Sequence, residues 1–465
     1  MNSGITFALY FGNRGFFPSE SIARARAEMI KAVTDAGCGY ICLEEDKTAY
    51  GAVETVAEGR IYAEFLERNR GKYQGVIICL PNFGDENGAQ AALKDVRVPI
   101  LVQAYPDMMD EMDFAHRRDA MCGKFAMCNV LLQMQLPFTL TTRFTVSPSD
   151  KSFAEDLRSF AAVCRVVDGM KCFNIGAIGA RTTAFKTVRA DEYALQKKGI
   201  NVEAIDLSTV FERINKVKTE DIQGILRDID AITVFEGFPQ EKLITMAKLQ
   251  AVMLDIVREY DLQAVAIRCW SEFQTVLGIA PCTSLCLLNS MGIQAACEVD
   301  ITNAAMMRAL ALASGSPCTL LDFNNNYGDA EDKAIMFHCG PVPAEMLEGK
   351  GRIIEHPMFR KTYGPGSGVG VNKGKLRSGD VTFGSLKTRD GRIGAFVAEG
   401  SFTSDPVPEE FFGTGKVIQT ANLDRIERHM AENGYKHHVC VSFGKCGKIL
   451  REAFEKYLGF ETAEF

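Results

Sequence analysis

Long apolar runs are missing from this 465-residue chain. No stretch approaches the roughly 18–20 consecutive apolar residues that a membrane-spanning helix needs. The opening MNSGITFALYFGNRG is too short in apolar length, and lacks the cleavage pattern, for a signal peptide. An excess of positive charge is also missing. With 52 Lys and Arg against 59 Asp and Glu, the net charge is −7, which argues against nucleic acid or an anionic membrane as the main partner. Among 15 cysteines no pair has C-x-x-C or zinc-knuckle spacing, and Cys122/Cys128 and Cys282/Cys286 stand too far apart. Thiols inside apolar runs, such as Cys79, Cys164, Cys286, Cys297 and Cys440, read as core residues of a reducing compartment, so a cytoplasmic protein is expected. There is no G-x-G-x-x-G and no Walker lysine. The turns Gly12–Gly15 and Gly176–Gly179 therefore carry no nucleotide fingerprint, and the second is expected to pack against a helix.

What remains is ordinary globular composition, 47% hydrophobic and 24% charged, over a length suited to two or three domains. The first part alternates: strand 5–11, helix 19–36, strand 40–43, helix 53–68, strand 75–80, helix 86–93 and strand 99–103. That pattern predicts a doubly wound parallel sheet. A Met- and Cys-rich helix, read as buried, and a polar link at 147–151 close this domain, residues 1–150. A second α/β domain is expected over 151–345, with strands at 171–175, 202–205, 264–267 and 293–297. Beyond it the chain turns glycine-rich, with short alternating runs split by Ser378-Gly379 and Asp390-Gly391, so residues 346–465 should be β-rich and barrel-like. The expected fold is α/β: two Rossmann-like, doubly wound parallel-sheet domains followed by a β-rich, barrel-like one.

The stretch from Gln294 to His338 carries the densest chemistry. It reads as three short apolar strands with a buried helix over 301–314, stopped by Gly315 and Pro317. If the strands lie parallel in one sheet, with the helix as crossover, Glu298, Asp322 and His338 fall at one carboxyl edge, where open α/β sheets bind ligands. Any one of these carboxylates is as readily a cap or turn former. Oxygen and nitrogen donors converging there make a divalent-metal site. Arg268 and Trp270 follow another strand to that edge, and Arg14 follows the first strand, although loop arginines are usually solvated.

At His437-His438 the chain resembles the L-fucose isomerase family and, more distantly, L-arabinose isomerase. Glu298 and Asp322 match the family's pair of catalytic metal-binding carboxylates. HHVCVSFGKCG is similar to its histidine segment, with His438 in the position of the imidazole ligand. FGNRG and the RCW at Arg268–Trp270 match segments lining the sugar site. The resemblance implies Mn²⁺, with other divalent ions as alternatives. It also implies aldose–ketose isomerisation of an L-fucose/D-arabinose-type sugar through a cis-enediolate. The assembly implied is a homo-oligomer, a trimer or hexamer in which a neighbouring subunit's N-terminal domain helps close each site, giving Arg14 a role in trans. His338 stands much like a ligand histidine of arabinose isomerase.

Two carboxylates and one imidazole leave about three positions of an octahedral ion free, room for two sugar oxygens and a water. Glu298 and Asp322 would then serve as both ligands and acid–base pair, beside an ion acting as Lewis acid. Two departures leave the sugar open: the chain is shorter than classical members, and His437 replaces an amide that contacts substrate. The alternative substrate is a modified hexose such as sulfoquinovose. Its sulfonate needs a cationic cradle, for which Arg14, His437, Lys445 and Lys448 are candidates. A different class, a non-catalytic sugar-binding sensor, would bind sugar without needing an open metal position.

Overall fold

The computed structural model describes residues 4–465. The chain folds into two compact units, Met1–Asp168 with Glu452–Gly459, and Gly169–Arg451 with Phe460–Phe465. In the first, β1 (Thr6–Phe11), β2 (Gly39–Cys42), β3 (Gly75–Leu80), β4 (Ile100–Ala104) and β5 (Thr139–Leu140) form one sheet in the order β2-β1-β3-β4-β5. All its pairings are parallel, the doubly wound arrangement. Strands β3 and β4 are buried throughout because helices cover both faces, which is why they read as unbroken apolar runs. Helix Val56–Arg68 starts at a capping box between Thr55 and Glu58, and Asp85 caps helix Glu86–Leu93. The C-terminal Glu452 and Tyr457 fasten to this unit at Thr139 Oγ1, at 2.7 and 2.8 Å.

The Met-rich helix, Ala120–Gln133, is not buried as expected: Met121, Phe125 and Leu132 are 48%, 59% and 66% exposed. It is apolar on every side, and only one face packs.

The second unit opens with β6 (Phe173–Ile178), β7 (Ile200–Ile205), the short β8 (Thr233–Val234), β9 (Ala264–Ile267) and β10 (Gln294–Ala296). Four of them make a parallel sheet in the order β10-β9-β6-β7. The Gly176–Gly179 turn packs as expected: a Cβ on Gly179 would stand 2.9 Å from Leu207, the first residue of helix Leu207–Lys216.

The remaining strands are β11 (Cys318–Asn326), β12 (Lys333–His338), β13 (Gly351–Glu355), β14 (Val369–Lys373), β15 (Gly379–Arg389), β16 (Arg392–Phe402), β17 (Thr414–Gln419), β18 (His438–Phe443) and β19 (Glu461–Glu464). Strands β15-β18-β11-β12-β17-β16 pair in that order, and β16 returns to pair with β15, closing a barrel-like ring with β19 beside β16. Closure leaves no open edge in the ring itself. Strands β13 and β14 join β8 in a small separate sheet.

One expectation is overturned. β10, the helix and β11 are not a parallel crossover unit within one sheet. β10 pairs with β9 in the parallel sheet, whereas β11 runs antiparallel between β12 and β18 in the ring. Helix Ile301–Ser314 packs against strands of both sheets, which explains its apolar surface all round. The ring thus takes β11 and β12 from the stretch before residue 345. The division at 150 and 345 remains a proposal about domain boundaries.

Candidate active site

Asp322 and His438 come together because β11 and β18 are antiparallel neighbours whose register sets these two residues directly opposite each other. His338 arrives from the end of β12, on the other side of β11. Glu298 arrives from the parallel sheet, just past β10. There the chain turns through two left-handed residues, Glu298 at φ +55° and Val299 at φ +60°. A β-branched residue rarely adopts that conformation, and such backbone concentrates at functional sites. Hydrogen bonds from Val299 N to Ile267 O (3.1 Å) and from Asp300 N to Cys297 O (3.0 Å) hold the turn.

His438 Nε2 lies 3.5 Å from Glu298 Oε2 and 3.4 Å from Asp322 Oδ1. His338 Nε2 lies 3.7 Å from Glu298 Oε2, and His437 Nε2 lies 3.8 Å from Asp322 Oδ1. The ligating atoms fall into two sets, each within 4.8 Å, that share His438: Glu298–His338–His438 and Asp322–His437–His438. Among the described residues no such set holds both carboxylates. The second oxygen of Glu298 is occupied, accepting from Trp270 Nε1 at 3.2 Å and Cys269 Sγ at 3.4 Å. Glu298 Oε2 and Asp322 Oδ1 are buried and receive no hydrogen bond.

Behind His438 stands a buried charged network. Asp300 Oδ2 meets His438 Nδ1 at 2.8 Å, and Asp300 Oδ1 accepts from Lys436 Nζ at 2.7 Å. Asp300 also accepts from Asn303 Nδ2 at 3.0 Å and caps the helix at Asn303 N. With the Nδ1 proton committed to Asp300, Nε2 turns its other face to the two carboxylates. Burial pushes Asp300 up, yet the ammonium of Lys436 and the imidazole outweigh it and hold the carboxyl well below its ordinary value. Burial works against charge on His438, but Asp300 and the facing carboxylates raise its pKa. Burial raises Asp322, whereas Glu298, also pushed up by burial, is brought below its ordinary value by His338 and His438.

The residues present fit a divalent cation. Two buried carboxylate oxygens without donors point at an imidazole nitrogen, and hard oxygens with nitrogen suit such an ion. The donors border a cavity of about 460 Å³, also lined by Trp270, His338 and His437. Aromatic side chains form its walls, among them Phe185, Phe337 and Phe412, with Phe359 and Tyr363 from helix Pro357–Tyr363.

Other candidates from the sequence have partners of their own. The Arg268 guanidinium is held by Glu272 (2.6 Å) and the carbonyls of Trp270 (3.1 Å) and Ala180 (3.2 Å), so it props the Trp270 loop and does not line the cavity. Lys445 is largely exposed and 3.5 Å from Asp380. Arg14, in the N-terminal unit, binds Gly84 O at 2.9 Å and Glu86 at 3.1 Å and lies over Phe83. Sequence reasoning missed Asp300 and Lys436. The only signal for Asp300 was its place as a helix cap three residues before Asn303, which hides its bond to His438. Nothing in the sequence marks Phe185 or the wall helix.

The fucose/sulfoquinovose isomerase N-terminal domain matches residues 8–171, and the L-fucose isomerase C-terminal domain matches residues 336–465. The chain belongs to the L-fucose isomerase-like family and is an aldose–ketose isomerase of that family. Two curated relatives bear a more particular name. The sulfoquinovose isomerase of Priestia aryabhattai is 24% identical over 405 residues, covering 86% of this chain and 87% of that protein. The sulfoquinovose isomerase of Alkalicoccus urumqiensis is 25% identical over 399 residues, covering 83% and 85%. Among the described residues no helix is long and apolar enough to cross a membrane.

Proposed function

We propose that this protein isomerises sulfoquinovose to the corresponding ketose, with a divalent ion, Mn²⁺ in the first instance, held by Glu298, Asp322 and His438. The observation that carries the metal assignment is the pair of buried, donor-less oxygens, Glu298 Oε2 and Asp322 Oδ1, set 3.5 and 3.4 Å from His438 Nε2. When bound, the ion supplies Lewis-acid polarisation of two adjacent sugar oxygens. Asp300 keeps the His438 ring oriented, as carboxylates behind metal-binding histidines do. Glu298 and Asp322 are the groups placed to move a proton between C1 and C2 and between the neighbouring oxygens, a role worth about 10²–10⁴-fold. The aromatic walls exclude water from the ring faces of the sugar.

The names of the relatives favour sulfoquinovose over L-fucose or D-arabinose. The cavity of this unit contains no Lys or Arg, and its cationisable side chains are imidazoles. His437, with its side chain 44% exposed, is therefore the sulfonate contact we assign within the subunit. Arg14 of a neighbouring copy, in a trimer or hexamer, is the contact we assign in trans.

The test is turnover of sulfoquinovose, L-fucose, D-arabinose and L-arabinose with Mn²⁺, followed by NMR of the product. Sulfoquinovose should be converted, EDTA should stop the reaction, and Mn²⁺ should restore it. Conversion of L-fucose or D-arabinose alone would reassign the substrate. Sugar binding indifferent to EDTA, with no turnover of any of the four, would mark a sensor instead.

A further inference from the structure

The imidazoles and the indole that line the cavity are committed to protein groups, with one exception. Trp270 Nε1 donates to Glu298 at 3.2 Å, and His438 Nδ1 meets Asp300 at 2.8 Å. His338 Nδ1 accepts from Cys339 N at 2.9 Å, and His437 Nε2 faces Asp322 at 3.8 Å. The exception is His356, which lines the cavity and is 3% exposed. Its Nδ1 is buried and has no hydrogen-bond partner. Its Nε2 is not enclosed in that way, and no group among the described residues bonds to it.

Packing and capping do not account for an imidazole at this position. His356 stands at the N-cap of helix Pro357–Tyr363, where Ser, Thr, Asp or Asn would bond a first-turn N–H, yet its side chain makes no cap bond. The backbone alone fixes the residue: its N donates to Gly368 O at 2.9 Å and its carbonyl accepts from Arg360 N at 2.9 Å. The ring stacks on Phe359, centroids 4.0 Å apart, and tilts against Phe412 at 4.6 Å. Phenylalanine or leucine would fill that space without enclosing an unpaired polar atom, which costs stability. An imidazole keeps at least one N–H, and a buried N–H without an acceptor is rarer than a bare lone pair. The proton therefore sits on Nε2, which is free to present it to the cavity. In the proposed chemistry the ion, Glu298 and Asp322 act at C1 and C2. Phe337, whose strand position pairs with Asp322, touches Phe412 at a centroid distance of 5.2 Å, and Phe412 touches His356. His356 thus stands one ring beyond Phe337 along the wall. We propose that His356 is a specificity-determining residue, donating from Nε2 to a hydroxyl of the bound sugar beyond C2. The inference rests on the cavity being the sugar site, but not on which sugar is turned over.

The test measures kcat and KM of the Mn²⁺-loaded full chain on whichever of the four sugars it converts, and on the analogues of that sugar lacking the C3, C4 or C5 hydroxyl. The wild type should lose about 10–100-fold in kcat/KM on one of the three analogues. His356→Phe should lose about as much on the parent sugar, chiefly through KM, and should no longer distinguish the parent from that one analogue. A variant that loses the same factor on the parent and all three analogues would mark a merely structural role and overturn the proposal. Unchanged KM in His356→Phe would overturn it as well, while leaving the isomerase site in place. Failure of the wild type to convert any of the four sugars would remove the site reading and this contact together. Should His356→Phe fail to fold, a crystal structure of the native protein with the sugar bound decides. A sugar hydroxyl within hydrogen-bond distance of His356 Nε2 supports the contact, and a bound sugar with none there contradicts it.

Discussion

Replacing Asp300 with asparagine separates the two tasks of the network behind His438. The carboxylate divides its oxygens, Oδ1 to Lys436 Nζ at 2.7 Å and Oδ2 to His438 Nδ1 at 2.8 Å. Asparagine has a single acceptor oxygen, so it satisfies one partner and turns an amide N–H toward the other. If Lys436 is abandoned, an ammonium only 3% exposed loses its counter-charge, and breaking such a pair costs about 3–5 kcal/mol. If His438 is abandoned, its Nδ1 proton loses its acceptor and the ring is free to take the other tautomer, with N–H toward Glu298 and Asp322. Loss of an outer partner of this kind lowers metal affinity by about 10–100-fold. The expected result for Asp300→Asn is both effects: a lower thermal midpoint and weaker Mn²⁺ binding by calorimetry. Adding Lys436→Met removes the stranded ammonium. The double variant should recover much of the stability while metal affinity stays low. Unchanged Mn²⁺ affinity in Asp300→Asn would refute the orienting role, and recovery of affinity along with stability in the double variant would show that the loss was merely structural.

Asp322→Asn should leave a folded protein without measurable turnover; near-normal activity would remove Asp322 from the proposed chemistry. In the N-terminal unit, Lys124 is fully buried, with Nζ bonded to Thr141 Oγ1 at 2.7 Å and Phe144 O at 2.6 Å, and burial lowers its pKa to about 8. Between that value and the unfolded value of 10.5 the unfolded chain binds more protons, so stability should rise with pH across this window by about 3 kcal/mol and be flat below it. The difference in denaturant stability between wild type and Lys124→Met should follow that curve, and a pH-independent difference would contradict it. A Cβ on Gly123 would stand 2.1 Å from Phe83 O, a backbone atom that cannot swing aside, so Gly123→Ala should cost about 1–3 kcal/mol in thermal or denaturant unfolding.

Much of the architecture was legible because burial writes itself into short sequences. Gly75–Leu80, covered on both faces, reads as one apolar run, and helix Glu86–Leu93 is marked by Asp85 at its cap. The placement of β11 was not legible. Cys318–Leu321 is an apolar run that looks the same in a parallel or an antiparallel sheet, and its partner β18 lies more than a hundred residues later. The same long-range pairing sets His438 against Asp322, so the chemical types in the site could be named from the chain but not their geometry. Arg268 shows the converse. A strand-end arginine suggests a ligand contact, yet Glu272 four residues on captures it.

The most direct measurement is a crystal structure grown with Mn²⁺, with the ion located from its anomalous scattering. A single peak bonded to Glu298 Oε2, Asp322 Oδ1 and His438 Nε2 is predicted. A cavity without such a peak, or an ion held away from those three atoms, would contradict the metal assignment and the isomerisation chemistry built on it.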